Sequence, residues 1–352
     1  MPVPPHCESK RESGPIQPAP VIVARTSGPA KAACASLAAS FGLTTAAVTA
    51  AWTRHLPPAE ILRASPAIFL VLAAFLALTS SRVRASLSEW IGSSRWRAIL
   101  SAQAIILPYL CYATALHRFA ATDFLALLAY VNFPLLVLLW ERGHGPSFWL
   151  DALALLAIWL PLELSWLPAL WSWPPGQPGR YLHGFLGALV ALVGFELIRG
   201  LHGIGFTLHC RAHDVRIAAA ASAAFLPTGL LLGMLIGFLG RFEWPSSLPA
   251  AALRITGIFL VTALPEELLF RGLLQNLLRT WTGRPWLSLV LASLCFGAAH
   301  ANVGAVPDWR LPVLATLAGL AYGWAYETGR TLMAPALTHT LVNAVWLLLF
   351  RR

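Results

Sequence analysis

The chain has 352 residues, of which 57% are hydrophobic and only 11% are charged, and its net charge at pH 7 is +10. Globular proteins carry roughly 25% charged residues, so this composition excludes an ordinary water-soluble protein. It predicts an all-α, polytopic transmembrane helical bundle surrounded by the lipid bilayer. The basic residues are nearly all Arg and lie in short segments between apolar runs, which argues against a nucleic-acid partner.

Three parts of the chain differ in character. Residues 1–30 contain Pro, Ser and charged residues without hydrophobic periodicity, and we predict a disordered N-terminal tail. Residues 31–180 contain long apolar runs with few ionisable groups and form a predicted N-terminal transmembrane region of unknown role. Residues 181–352 hold most of the polar groups at membrane depth, so any chemistry is expected there.

The apolar runs predict about 8–11 membrane spans, because a span needs about 20 predominantly apolar residues. Residues 81–97 carry four arginines and are predicted by the positive-inside rule to be a cytoplasmic loop. Counting spans outward puts the N-terminal tail, residues 200–216 and residues 279–285 on the same side. The candidate spans are residues 33–52, 61–80, 98–117, 121–140, 148–172, 181–200, 217–240, 251–278, 286–303, 312–328 and 331–350.

The first polar pattern is PEELLFRG, in which Glu266, Glu267 and Arg271 interrupt an apolar segment. Each charge at the centre of a bilayer costs about 2.5–3.5 kcal/mol on insertion scales, so the three charges need an explanation. At about 100° per residue, Glu267 and Arg271 share one helix face and can form an ion pair, whereas Glu266 points elsewhere. Pro265 is expected to break the helix just before the pair and to permit a wet cavity.

Two further patterns lie on separate apolar segments: FGAAH contains Phe296 and His300, and HTLVN contains His339 and Asn343. The two residues of each pattern are four apart and therefore lie on one helix face. A carboxylate, two imidazoles and an amide that converge between helices suit the activation of water and the binding of an oxyanion. Taken singly, each polar group could equally be an interhelical hydrogen-bond partner. Together they predict a functional site.

The ordered set EExxxR, FxxxH and HxxxN resembles the CPBP family of intramembrane proteases, which includes the type II CAAX prenyl endopeptidases and relatives associated with bacteriocin immunity. The likeness covers residues 181–350. It implies an all-helical intramembrane endopeptidase with a cavity open to the cytoplasm and a membrane-associated protein or peptide substrate, prenylated or not. The matching residues are Glu266, Glu267, Arg271, Phe296, His300, His339 and Asn343.

The resemblance also implies a role for each residue of the set that would handle the water. Glu266 and His300 would activate the attacking water. His339 and Asn343 would stabilise the oxyanion that forms when the water adds to the peptide carbonyl.

Glu267 and Arg271 would support this geometry. The cofactor stays open between a divalent metal such as zinc and none, because the family is described in both ways and the chain lacks an HExxH motif. The Arg-rich, Lys-poor composition indicates a bacterial source, so we expect the inner (cytoplasmic) membrane.

Two other classes of function stay open from the sequence. A transporter or ion carrier also uses intramembrane Glu, His and Arg, but these polar groups occupy one half of the chain and have no repeat-related counterpart in the other. A non-catalytic membrane scaffold of the immunity type would be expected to lack a residue of the motifs, and none is missing. The sequence therefore favours the endopeptidase.

Overall fold

The structure is a computed structural model that describes residues 28–53, 56–168, 170–171, 180–302 and 308–350. Residues 1–27 of the predicted disordered tail lie outside the described residues. In chain order, the helices are α1 (Pro29–Thr53), α2 (Pro58–Ala77), α3 (Ser81–Ile91), α4 (Arg95–Ala104), α5 (Leu107–Ala115), α6 (Ala121–His144), α7 (Phe148–Glu163), α8 (Arg180–Ala191, followed by the π-helix Leu192–Ile198), α9 (Ala212–Leu235), α10 (Leu248–Thr282), α11 (Pro285–Ala299), α12 (Arg310–Gly329) and α13 (Met333–Leu349).

Six helical stretches of the described residues are long and apolar enough to cross a membrane: Pro29–Thr49, Pro58–Ala77, Arg95–Ala115, Ala121–His144, Ala212–Leu235 and Leu248–Thr282. Three shorter apolar helices are Leu182–Ile198, Pro285–Ala299 and Met333–Leu349. Within the described ranges the chain forms no strand, apart from one isolated bridge between Phe242 and Phe350. The predicted all-α polytopic bundle is confirmed, and the chain is an integral, multi-pass membrane protein.

Contacts between helix ends define two ends of the bundle. At one end, which we call the α3 end, the indole N–H of Trp281 donates a hydrogen bond to Asp151 Oδ2 over 3.2 Å. At the other, the His300 end, Arg310 Nη1 donates to the carbonyl of Gly237 over 2.7 Å. Helix α10 runs from the His300 end to the α3 end, and α11 returns.

Residues 81–97 are not a loop, because α3 occupies Ser81–Ile91. Within α3, Arg84 is buried, and its Nε lies 2.5 Å from Glu196 Oε1. Its Nη1 also donates to the carbonyl of Phe206 over 2.8 Å. Arg84 therefore ties α3 to the π-helical end of α8 and to the loop that follows it. The side of the membrane on which α3 lies stays a prediction.

A buried ion pair joins the N-terminal region to the second half of the chain. Asp151 on α7 is buried, and its Oδ1 lies 2.6 Å from Nε of Arg199, just after α8. The same carboxylate accepts the hydrogen bond from Trp281 at the end of α10. Because breaking a buried pair typically costs about 3–5 kcal/mol, the pair holds α7 firmly against the end of α8, and the hydrogen bond from Trp281 joins α10 to the same carboxylate.

The prediction that Pro265 breaks helix α10 is wrong, since the helix continues for 35 residues. Proline has no N–H to donate to the carbonyl four residues earlier, which disfavours regular α-helix at this point. A π-helical stretch, Ile258–Ala263, precedes Pro265, and another, Leu268–Gln275, follows it. Such π-helical turns frequently occur at functional sites. The uninterrupted helix sets the rotation of Glu266 relative to Glu267.

Candidate active site

Glu267 and Arg271 form the predicted ion pair on one face of α10. Both side chains are fully buried, and Arg271 Nε lies 3.2 Å from Glu267 Oε2. Arg271 Nη1 also donates to Glu267 Oε1 over 3.3 Å. The spacing of four residues accounts for the contact, because it brings the two side chains onto the same helix face.

Groups from α11 and α12 complete the surroundings of Arg271. Its Nη2 donates to the carbonyl of Gly319 over 3.0 Å, and its guanidinium carbon lies 4.5 Å from the centroid of the Phe296 ring. A Cβ atom at Gly319 would lie 3.3 Å from Nη2, which is tighter than ordinary contact. The absence of a side chain at Gly319 therefore lets the guanidinium reach the backbone of α12.

Glu267 also binds His339 on α13. His339 Nδ1 lies 2.7 Å from Glu267 Oε1, and because an ionised carboxylate only accepts, the Nδ1–H donates. A hydrogen bond from one ring nitrogen sets the protonation of the other, so Nε2 is the atom that His339 presents to its remaining surroundings. That Nε2 lies 3.9 Å from Glu266 Oε2.

Glu266 differs from its neighbour although the two residues are adjacent in the sequence. The Glu266 side chain is 34% exposed, whereas that of Glu267 is 0% exposed. Glu266 lines a cavity, and its Oε2 has no hydrogen-bond partner among the described residues. The predicted division between a paired and an available carboxylate is therefore present in the structure.

The second histidine, His300, directly follows α11 and begins a short 3₁₀ turn. Its Nδ1 lies 2.7 Å from the carbonyl oxygen of Phe296, which can only accept, so Nδ1–H donates and Nε2 is available. Its ring also packs against the Phe296 ring, with centroids 4.6 Å apart. The spacing of four residues in FGAAH thus orients the imidazole from both its edge and its face.

Asn343 lies one helical turn after His339 on α13 and lines the same cavity. The indole N–H of Trp346 lies 3.0 Å from Asn343 Oδ1. Because indole is only a donor, the amide oxygen must face it, and the amide NH₂ is left as the donor group of Asn343. Trp346 therefore orients the amide, although it belongs to none of the three motifs.

One cavity of about 340 Å³ brings Glu266, His300, His339 and Asn343 together. Glu267 and Arg271 do not line it and lie behind Glu266 and His339. Most of the other lining side chains are aliphatic or aromatic. They belong to α9, α12 and α13 and to the segment after α9, and include Phe225, Leu226, Leu230, Phe238, Leu311, Leu314, Val342 and Leu347.

Tyr322 on α12 is a residue of the site that the motifs did not reveal. It is buried, and its ring stacks on that of His339 with centroids 4.7 Å apart and planes at 13°. Its ring centroid also lies 5.3 Å from the guanidinium carbon of Arg271. The only sequence signal is an aromatic residue with a hydroxyl group inside a run of small residues, which does not by itself indicate a site.

Close packing of α11 on α12 explains the glycine in FGAAH. A Cβ atom at Gly297 would lie 1.8 Å from Thr316 Oγ1 and 2.7 Å from the carbonyl oxygen of Pro312. Real Cβ atoms do not approach backbone so closely, so any larger residue must push the helices apart. Gly297 therefore sets the distance at which His300 meets the helix that carries Tyr322.

A catalytic zinc ion would need three His, Cys, Asp or Glu ligands around one point. In the part of the chain that the structure describes, no group of three or more His, Cys, Asp or Glu side chains is arranged to hold a metal ion. The arrangement therefore does not fit a metal centre, and the chemistry below is derived for the protein's own groups.

Comparison with known proteins adds independent information. Residues 245–345 match the family described as "Type II CAAX prenyl endopeptidase Rce1-like". The chain is 33% identical over 87 residues to "Uncharacterized protein YpbD" of Bacillus subtilis (strain 168), an alignment that covers 25% of this chain and 40% of that relative. It is 33% identical over 116 residues to "Uncharacterized 24.3 kDa protein" of Escherichia coli, covering 32% of this chain and 50% of the relative. The chain thus spans half or less of these relatives, and no solved structure matches it.

Proposed function

Residues 245–345 belong to the CPBP/CAAX protease family, and from this premise we propose that the chain is an intramembrane endopeptidase that hydrolyses a peptide bond with water activated by Glu266 and His300. The observation that carries the proposal is the unequal environment of two adjacent carboxylates. Glu267 is buried and ion-paired with Arg271, whereas the Glu266 side chain is 34% exposed and lines the cavity. A general base needs a carboxylate that water can reach.

Glu266 would accept a proton from water as the water oxygen attacks the peptide carbonyl. His300 would orient the same water through Nε2, because its Nδ1–H is already used on the backbone. Proton transfer by a positioned side chain contributes typically about 10²–10⁴-fold to the rate. The proton on Glu266 would then pass to the leaving amine, so that the base returns to its starting form.

His339 and Asn343 would bind the oxyanion. An oxyanion needs a donor, so in this role His339 would use both ring N–H groups, with Nδ1–H on Glu267 and Nε2–H toward the cavity. The 3.9 Å between Glu266 Oε2 and His339 Nε2 is too long for a hydrogen bond, so neither group is already bound to the other.

The surroundings of the cavity support a substrate that is itself associated with the membrane. Its walls are mainly aliphatic and aromatic, so a polar peptide would lose hydration there without gaining partners. We propose a membrane-associated protein or peptide as the substrate and the bacterial inner membrane as the location. The charge pair behind Glu266 and the stacked ring of Tyr322 would keep the site rigid.

The test uses the full-length protein purified in detergent and a peptide library, with cleaved bonds mapped by mass spectrometry in ¹⁸O-labelled water. Glu266→Gln keeps the size of the side chain but removes the proton acceptor, so turnover should fall by at least about 10²-fold. Glu89→Gln, which changes an exposed glutamate on α3, is the matched control and should cleave normally.

Four outcomes would contradict the proposal in part or as a whole. Near-normal turnover of Glu266→Gln rejects Glu266 as the base. Products without ¹⁸O in the new carboxyl group reject hydrolysis. Loss of wild-type activity with a chelator, and its recovery with a divalent metal, rejects the metal-free mechanism while leaving the endopeptidase activity in place. A chain that cleaves no peptide but carries solute across vesicles would be a transporter.

A further inference from the structure

A second cavity, of about 210 Å³, adjoins the first at the His300 end of the bundle. The two cavities share Phe238, Leu239, Trp346 and Leu347 as lining residues. The shared lining places the two cavities side by side, so a peptide bound at the proposed catalytic groups has residues close to the second cavity. This shared lining is formed by aliphatic and aromatic side chains, and it includes the tryptophan that orients Asn343.

Among the residues that the structure describes, Arg254 is the only charged one that lines this second cavity. Within the described ranges its guanidinium makes no ion pair and no side-chain hydrogen bond. Arg310, which belongs to the same end of the bundle, differs in this respect, because it binds Asp308 over 2.7 Å and the carbonyl of Gly237. An arginine has five N–H donors, so Arg254 retains its full capacity to bind an anion.

The distance between Arg254 and Glu266 suits a short peptide. The residues are 12 positions apart on α10, which corresponds to at most about 18 Å of helix axis at 1.5 Å per residue. An extended peptide covers about 3.3–3.6 Å per residue, so about five residues reach from one to the other.

We propose that Arg254 forms an anion subsite that binds a carboxylate of the substrate within about five residues of the cleaved bond. This inference rests on the proposed endopeptidase function. The carboxylate is either the end of a peptide chain or an Asp or Glu side chain, and the residues between it and the cleaved bond lie against Phe238, Trp346 and Leu347. Arginine binds carboxylates in a bidentate geometry, which favours a carboxylate over a neutral group.

The experiment uses peptides that the wild-type protein cleaves, made with a carboxylate or an amide at successive positions up to five residues on each side of the cleaved bond. The variants are Arg254→Gln and Arg254→Glu. The matched control is Arg241→Glu, an exposed arginine at the same end of the bundle that lines neither cavity. KM and kcat are measured separately.

For the peptide with the carboxylate at the preferred position, Arg254→Gln should raise KM five- to tenfold, which corresponds to about 1–1.4 kcal/mol of lost binding free energy. The kcat should change little, because this contact is about equally strong in the ground state and in the transition state. For the amide peptide, KM should be the same with Arg254→Gln as with the wild type. A peptide with lysine at the same position should be cleaved better by Arg254→Glu than by the wild type.

Other outcomes overturn this inference in distinguishable ways. If Arg254→Glu and Arg241→Glu change KM alike for every peptide, the effect comes from the general positive charge of this end of the bundle and not from a subsite at Arg254. If KM does not depend on peptide charge in any variant, there is no anion subsite, although the endopeptidase remains. If the wild type cleaves no peptide at all, the proposed function itself fails.

Discussion

The buried pair of Glu267 and Arg271 offers the most direct test of how the site is held together. Arg271→Met keeps much of the length and bulk of the side chain but removes the positive charge. The variant loses the 3.2 Å ion pair, the hydrogen bond to the carbonyl of Gly319 and the contact with the Phe296 ring. It leaves the Glu267 carboxylate fully buried with His339 as its remaining partner.

The expected cost follows from that isolated charge. Removing one partner of a buried ion pair typically destabilises a protein by about 3–5 kcal/mol. The total stability of a domain is about 5–15 kcal/mol, so the loss is a large fraction of it. The double variant Glu267→Gln/Arg271→Met removes both charges, and the introduced amide keeps an oxygen that can accept from His339. It should therefore recover most of the stability but not the activity, since His339 has lost its anionic partner.

The measurement is the midpoint of unfolding during titration with SDS in mild detergent, together with turnover on one cleaved peptide. Arg216→Met, at an exposed arginine on α9, is the control and should unfold like the wild type. If Arg271→Met unfolds at the wild-type midpoint, or if the double variant is no more stable than Arg271→Met, the ion pair does not stabilise the fold. Full turnover in the double variant would contradict the supporting role of the pair.

Three further predictions concern the site and its orientation. Tyr322→Leu removes the ring stacked on His339 and should lower turnover by about 2–10-fold, because an aromatic pair contributes about 0.5–1.5 kcal/mol. Tyr322→Phe keeps the ring and should have near-normal turnover. Equal rates for both variants would reject the stacking role. Asn343→Leu removes an oxyanion donor and should lower kcat by about 10²–10³-fold with little change in affinity, measured by separate binding and turnover assays. A weaker affinity with unchanged kcat would instead favour a transporter. In a cysteine-free background, Ser88→Cys and Arg284→Cys should both be labelled from the cytoplasm, and labelling from opposite sides would disprove the span count.

Contacts within one helix could be predicted from the sequence, because helical periodicity alone determines them. The pairing of Glu267 with Arg271 and the different direction of Glu266 both follow from about 100° of rotation per residue. The convergence of Glu266, His300, His339 and Asn343 in one cavity was expected from the three motifs taken together. Within one helix the sequence separation itself carries the geometric information, whereas the convergence was expected only from the presence of three polar motifs on separate apolar segments.

Contacts between helices could not be predicted in this way. The pairs Arg84–Glu196 and Asp151–Arg199 join residues 112 and 48 positions apart. Whether they meet depends on the rotation and depth of each helix, which no local pattern specifies. Tyr322 was missed for the same reason, because only the packing of α12 on α13 turns its ring onto His339. The prediction that Pro265 breaks the helix was wrong because π-helical turns on both sides of it accommodate the proline.

The two expectations about orientation now conflict, and the conflict bears on the substrate. The positive-inside rule predicts the α3 end to be cytoplasmic, whereas the resemblance implies a cavity that opens to the cytoplasm. The cavity extends to the His300 end, because Leu239, His300 and Leu311 line it. Both expectations cannot hold for one orientation. If labelling of Trp244→Cys proves the His300 end to be cytoplasmic, the substrate is supplied from inside the cell. If that end faces outward, the substrate must be a protein or peptide already inserted in or exported across the membrane, and Arg254 would meet its carboxylate on the outer side.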